Sequence, residues 1–198
     1  MGRGGYTVAR VAVLVRAPVG WLWWLGLLAA GCGLLVPGVT GRRIGVLAGA
    51  ALFLIALAVA ATVRRGRYGK LAGAASRAGK SVALQDREAT VRDWRLAHRW
   101  PLVAVFLVAV GASFAVPAAP GLLLAGTAAG LWWKALWLGR WEHEHESLLW
   151  VRTDELPRPW ALGGPGHAAV SGYLTTGVVA GDARPGGARR RPEDVPVR

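Results

Sequence analysis

The 198-residue chain is expected to be an all-α membrane protein, with four transmembrane helices as two tandem hairpins and short cytoplasmic amphipathic helices. Three observations predict this. Four long apolar blocks punctuate the sequence, its basic residues fall almost entirely on one side of them, and its tryptophans gather at the same helix ends.

A helix rises about 1.5 Å per residue, so a hydrocarbon core about 30 Å thick needs roughly 20 apolar residues. Residues 19–36, 44–63, 101–116 and 121–138 form blocks of 18, 20, 16 and 18 residues, with Lys134 as the one charge among them. Backbone polar groups cannot stay unpaired in lipid, so each block must be helical. The blocks also lack the polar face of a surface helix in a soluble protein. The expected organisation is a cytoplasmic juxtamembrane segment (1–18), hairpin one (19–63), a basic loop (64–100), hairpin two (101–138), a partly ordered cytoplasmic tail (139–180) and a disordered basic end (181–198).

Residues 1–18 carry Arg3, Arg10 and Arg16 but no clear small-residue cleavage site. They read as a juxtamembrane helix leading into a retained anchor. Tyr6 stands where a myristoylation signal needs Ser or Thr. The third block is the shortest and is expected to extend back through Trp100 or to lie in thinned bilayer. Pro101 suits a first helical position, where its missing N–H is no loss. Pro117 and Pro120-Gly121 end one helix and open the next across a tight, uncharged turn. Lys134 sits about four residues from its helix end, roughly 6 Å, within snorkelling reach of headgroups.

The halves resemble each other. Val36-Pro37 and Val116-Pro117 each close the first helix of a hairpin, and GVLAGAALF from Gly45 is echoed by GLLLAGTAA from Gly121. Both copies start on the same side, giving a parallel repeat rather than the inverted repeat of many transporters. Each second helix carries Gly-x-x-x-Gly, at Gly45/Gly49 and Gly126/Gly130. Small residues four apart let backbones approach, within one chain or between copies.

Of the 24 Lys and Arg residues, only Arg42 and Arg43 lie in the first hairpin turn and none in the second; the other 22, with all 11 acids, lie on the opposite side. Basic residues near helix ends stay cytoplasmic, so both termini and the central loop are expected inside a plasma or inner membrane. Trp21, Trp23, Trp24, Trp100, Trp132, Trp133 and Trp137 then form a cytoplasmic interfacial belt, joined by Trp94 and Trp141.

The net charge of +13 on a chain with mean hydropathy +0.36 thus reflects topology as much as any ligand. Residues 64–100 carry ten basic residues and three acids. Arg64, Arg65, Arg67 and Lys70 are expected to hold this loop against anionic lipid, a protein partner or, less favoured, nucleic acid. Residues 76–84 are expected to be helical, and Thr90-Val91-Arg92-Asp93 to cap a second short helix. Beyond residue 139 the fourth helix is expected to run on through Trp150, with a short strand or helix within 168–179.

Catalytic signals are weak. Glu142, His143, His145 and Glu146 could ligate a divalent metal, but a solvated helical extension accounts for them better. Gly79-Lys80-Ser81 fails the phosphate-loop pattern, because position 74 is Ala and no strand precedes it. Ser171 and His167 lack supporting partners. Ser113 and Thr127 are expected to bond their own helix backbones. One Cys excludes a disulfide scaffold, and no cofactor is expected. The expected function is a non-catalytic membrane accessory or scaffold protein, such as a subunit of a secretion or DNA-transfer machine. A small oligomeric channel or transporter subunit is the second expectation, and a metal-dependent membrane enzyme the third. Protein partners or homo-oligomers, and the lipid bilayer itself, are its expected contacts.

Overall fold

Each apolar block lies largely in helix, while segments before, between and after the blocks supply an unforeseen sheet. A computed structural model describes residues 7–35, 38–63, 65–78, 83–152, 173–178 and 184–187. In chain order the elements are β1 (Thr7–Arg10), α1 (Val11–Arg16), α2 (Val19–Leu35), α3 (Arg42–Thr62), α4 (Arg65–Ala74), β2 (Ser76–Arg77), β3 (Ala83–Leu84), α5 (Arg87–Ala112), α6 (Ala119–Glu144), β4 (Ser147–Arg152) and β5 (Tyr173–Gly177). A 3₁₀ turn follows at Pro185–Gly187.

Among the described residues, three helical stretches are long and apolar enough to cross a membrane: Val11–Leu35, Arg42–Thr62 and Arg87–Ala112. The fourth block lies in α6, which has Lys134 and four tryptophans in its length and is not among the three. The chain divides into a helical unit (Val15–Val63, Arg95–Lys134) and a sheet unit (Met1–Leu14, Arg64–Trp94, Ala135–Arg198).

In the helical unit, α6 is the buried strut. Leu124, Ala125 and Ala128 are all buried, whereas α3 exposes Ile44, Leu47, Leu54, Ile55 and Val59. Glycine sets the spacing. A Cβ on Gly26 would stand 2.7 Å from the Ala125 nitrogen, and one on Gly33 would stand 2.5 Å from that of Ala118. Residue numbers thus rise along α2 as they fall along α6, so the two helices are antiparallel. On α3, Gly45 meets Pro117, Gly49 meets Ala119 and Leu122, Phe53 meets Gly126, and Leu57 and Ala60 meet Gly130. Both series rise together, so α3 and α6 run parallel. Ala29, Ala109 and Leu124 pack as one cluster with Leu22, Phe106 and Val110, which ties α5 to α2.

The hydroxyls behave as expected of isolated polar groups among apolar helices. Ser113 Oγ donates to the Ala109 carbonyl at 2.9 Å, and Thr127 Oγ1 to that of Leu123 at 2.9 Å. Between α5 and α6, Ala118 adopts a left-handed φ of 62° while buried, which costs a non-glycine residue about 1–2 kcal/mol. The turn before α3 docks on this connection: the N–H groups of Val39 and Thr40 donate to the carbonyls of Phe114 and Ala115. Thr40 Oγ1 adds a bond to the Ala115 carbonyl at 3.0 Å. Two expectations are corrected. Pro101 lies inside α5, which starts 14 residues earlier at Arg87; membrane helices tolerate a proline whose lost bond is met locally. Lys134 is 6% exposed and so does not extend over the helix surface.

The sheet unit corrects the all-α expectation. Five strands lie in the order β2-β5-β4-β1-β3. β4 is central and antiparallel to both neighbours, with Val8 opposite Arg152 and Trp150 opposite Leu174. β1 pairs parallel with β3, and β2 parallel with β5. Leu148, Leu149, Trp150 and Val151 are all buried, so β4 is covered on both faces. Val8, Leu148, Trp150 and Leu174 form one core cluster, and Trp150 Nε1 donates to Thr176 Oγ1 at 2.7 Å. Both edge strands are two residues long, which limits pairing with other chains.

The helix expected through Trp150 therefore ends at Glu144, where Glu146 turns the chain at φ 47° into β4. Ser76–Arg77 and Ala83–Leu84 are strands rather than helix, because pairing with β5 and β1 outweighs local helix propensity. The Thr90 capping box is not used: α5 begins at Arg87, and Asp86 Oδ2 accepts from the Glu88 N–H at 3.2 Å. Thr90 Oγ1 instead donates back to the Asp86 carbonyl. Residues 7–10 are strand ahead of the short helix α1. Within the stretch expected to be disordered, Pro185–Gly187 forms a turn whose two glycines are buried. Arg184, just before this turn, is exposed; the other residues of 181–198 lie outside the described residues, as do residues 79–82, His167 and Ser171.

Candidate functional site: basic and aromatic residues at the helix ends

The expected basic cluster follows α3. Arg64 lies outside the described residues, and Arg67 is described only as a backbone position in α4. Lys70 is exposed on the same helix. Arg65 is half-buried, with its guanidinium carbon 5.4 Å from the Trp137 ring centre. A cation over an indole face is held by the ring quadrupole while keeping its charge. The helix α4 carries no acid in its own sequence.

Of the expected belt, Trp21, Trp23, Trp24, Trp100, Trp132 and Trp133 are exposed, and Trp137 is half-buried beside Arg65. Trp21 and Trp100 each have an arginine as neighbour: Arg95 lies 5.5 Å from the Trp21 ring and Arg99 5.6 Å from the Trp100 ring. These two arginines of α5 escaped the sequence reading, which stopped at the run 64–70. The signal was their spacing of four residues, which puts both on one helical face beside the tryptophans.

Of the four glycines expected at helix contacts, Gly49, Gly126 and Gly130 face another helix of the same chain, and Gly45 faces Pro117 in the turn before α6. A Cβ at Gly45 would lie 2.5 Å from the Pro117 carbonyl oxygen, and one at Gly49 would lie 2.6 Å from a Leu122 methyl. At Gly130 it would lie 2.5 Å from the Leu57 carbonyl oxygen, and at Gly126 it would run into the Phe53 backbone.

The His/Glu run does not converge. Glu142 is fully buried and its Oε2 accepts from Arg10 Nη2 at 3.1 Å and from the Gly186 N–H at 2.7 Å. His143, His145 and Glu146 are exposed. His145 stacks on Trp141 with ring centres 4.3 Å apart, and its Nδ1 lies 2.9 Å from the Trp141 carbonyl. Among the described residues, no group of three His, Cys, Asp or Glu side chains could hold a metal ion. The sequence reading missed the role of Glu142 because its partners come from residues 10 and 186.

The Arg10–Glu142 pair joins β1, the end of α6 and the Pro185–Gly187 turn within the sheet unit. Its two side chains are 2% and 0% exposed. Such a pair fixes geometry more than it adds net stability, since desolvation offsets most of the attraction. The chain matches no family model, no curated protein and no solved structure.

Proposed function

We propose that this chain is a non-catalytic integral membrane scaffold with four spans, both termini cytoplasmic, and a basic cytoplasmic face that engages anionic lipid and a protein partner. The observation that carries the reading is the parallel packing of α6 along α3. If α3 crosses a bilayer, a helix packed beside it in the same direction over the same length crosses too. Four crossings return the chain to its starting side, where 22 of its 24 basic residues then gather. The most specific version is a subunit of a larger plasma- or inner-membrane machine, such as a secretion or DNA-transfer apparatus.

Topology is the direct test. In a Cys32→Ala background, cysteines placed at Thr40 and at Lys70 would be treated with impermeant maleimide on intact cells. Thr40→Cys is expected to label from outside, and Lys70→Cys only after permeabilisation. Labelling of position 40 from the cytosol overturns the orientation.

The nucleic-acid version is tested separately. Neutralising Arg64, Arg65 and Arg67 to Gln is expected to leave retention of the detergent-solubilised protein on DNA unchanged at physiological salt. A salt-sensitive loss of retention would instead favour nucleic acid as the partner, since counterion release makes phosphate binding steeply salt-dependent.

A second reading, a channel or transporter subunit assembled by oligomerisation, draws on Lys134. An ionisable side chain withdrawn from the surface of a membrane helix is a common mark of a solute or ion path. Solute flux in proteoliposomes, lost on Lys134→Met, would favour it.

A further inference from the structure

We propose that the groove between the first turns of α2 and the middle of α5 binds one anionic phospholipid, with its phosphate held by Arg95 and Arg99 and an acyl chain lying along Leu25, Leu102 and Val103. The groove encloses about 280 Å³ and is lined by these residues and Trp21. That is below the roughly 300–1,000 Å³ of pockets that enclose a whole small molecule, and it suits one segment of a chain.

The groove's own surface is apolar: Arg95 and Arg99 line it through their aliphatic stems, and their guanidiniums lie against the Trp21 and Trp100 rings. Arg95 and Arg99 are one helical turn apart and stand at the end nearer the start of α5. Leu102 and Val103 follow one to two turns later, with Leu25 facing them from α2. From Arg95 to Val103 the helix rises about 12 Å. Charge therefore gives way to hydrocarbon over the distance that separates a lipid phosphate from its acyl chains.

Both guanidiniums are exposed. Among the described residues, neither Arg95 nor Arg99 forms an ion pair with a carboxylate. Their contacts are the faces of Trp21 and Trp100. A guanidinium resting on an indole keeps its N–H edge available, and that edge matches phosphate oxygens in bidentate geometry. The tryptophans themselves favour headgroup depth. An apolar peptide would leave two cations unpaired, and a soluble anion would leave the apolar wall uncovered. The occupant that satisfies both is an anionic phospholipid.

This proposal rests on the membrane-spanning reading but not on its orientation. The test uses the full chain, delipidated in detergent and titrated by native mass spectrometry. The probes are phosphatidylglycerol, phosphatidylcholine of the same acyl chains, and glycerol phosphate. Wild type is expected to bind one phosphatidylglycerol about 30-fold more tightly than phosphatidylcholine, roughly a factor of five for each cation. Arg95→Gln/Arg99→Gln should abolish that preference, while Arg42→Gln/Arg43→Gln, two exposed residues at the start of α3, should keep it. Val103→Trp, which fills the apolar end, should weaken both lipids together. Equal binding of the two lipids by wild type overturns the proposal without reference to any variant. So does a preference that survives the double arginine change, or glycerol phosphate competing as well as intact lipid. Because binding is read in detergent, its failure leaves the topology result standing, and a reversed topology leaves the lipid result standing.

Discussion

Glu142→Ala is expected to destabilise the sheet unit by about 3–5 kcal/mol, because it strands a buried guanidinium without its counter-charge. Small domains are stable by only about 5–15 kcal/mol in total, so roughly a fifth of that margin or more goes. The Glu142 carboxylate accepts from Arg10 and from the Gly186 N–H at once, so its loss also frees the 3₁₀ turn from the end of α6. Arg10→Ala should cost a similar amount by stranding the carboxylate, whose Oε1 has no hydrogen-bond partner among the described residues. Joint replacement, Arg10→Met with Glu142→Leu, should recover most of the loss, since an apolar pair of similar volume removes both desolvation penalties. Thermal unfolding in detergent, followed by hydrogen exchange in β1 and β4, reads this directly. A melting point for Glu142→Ala equal to wild type, or a double variant no better than the singles, would show that the pair does not brace the unit.

The second large effect lies in the helical unit. Gly126→Ala is expected to cost about 1–3 kcal/mol, because the new methyl meets Phe53 backbone atoms, including its α-carbon at 2.8 Å. Backbone cannot rotate away as a side chain can, so α3 and α6 must separate and lose contacts along their length. Gly130→Ala should act alike, and the two together should cost less than their sum, since one separation accommodates both. Gly31→Ala and Gly111→Ala are the controls. Nothing lies within 4 Å of either added methyl, so they should be neutral or gain up to about 1 kcal/mol of helix propensity. Unfolding by titrated dodecyl sulfate against tryptophan fluorescence would rank the four. A Gly126→Ala protein as stable as the Gly31→Ala protein would mean the close approach is not needed.

Helices were legible where composition alone decides them. Residues 44–62 hold no charge and lie within α3, where Gly49 approaches α6, while Gly45 faces the turn before it. The sheet was not legible, for two physical reasons. Its edge strands are two residues long, too short for any alternating pattern to register. Its central strand, Ser-Leu-Leu-Trp-Val-Arg, is buried on both faces and so shows an unbroken apolar run, which periodicity cannot tell from helix. The boundary before it was hidden too, since the left-handed turn falls on Glu146 rather than on the glycine that normally signals it. The candidate lipid groove was half visible. The tryptophans at 21 and 100 stood out, but which arginines lie beside them depends on α5 continuing through Pro101.

The register of the sheet has a consequence for how the protein is made. Val8 pairs with Arg152, and Arg10 with Trp150. A ribosome adding roughly 5–20 residues per second takes about 10–30 s to make the partner of β1 after β1 itself emerges. During that interval all the apolar helices are synthesised, and the first strand has at most the two-residue β3 to pair with. Closure of the sheet is therefore a late, post-insertion event, slow by virtue of its long sequence separation. The N-terminal residues must stay unaggregated beside the membrane until the last third of the chain arrives to fold them.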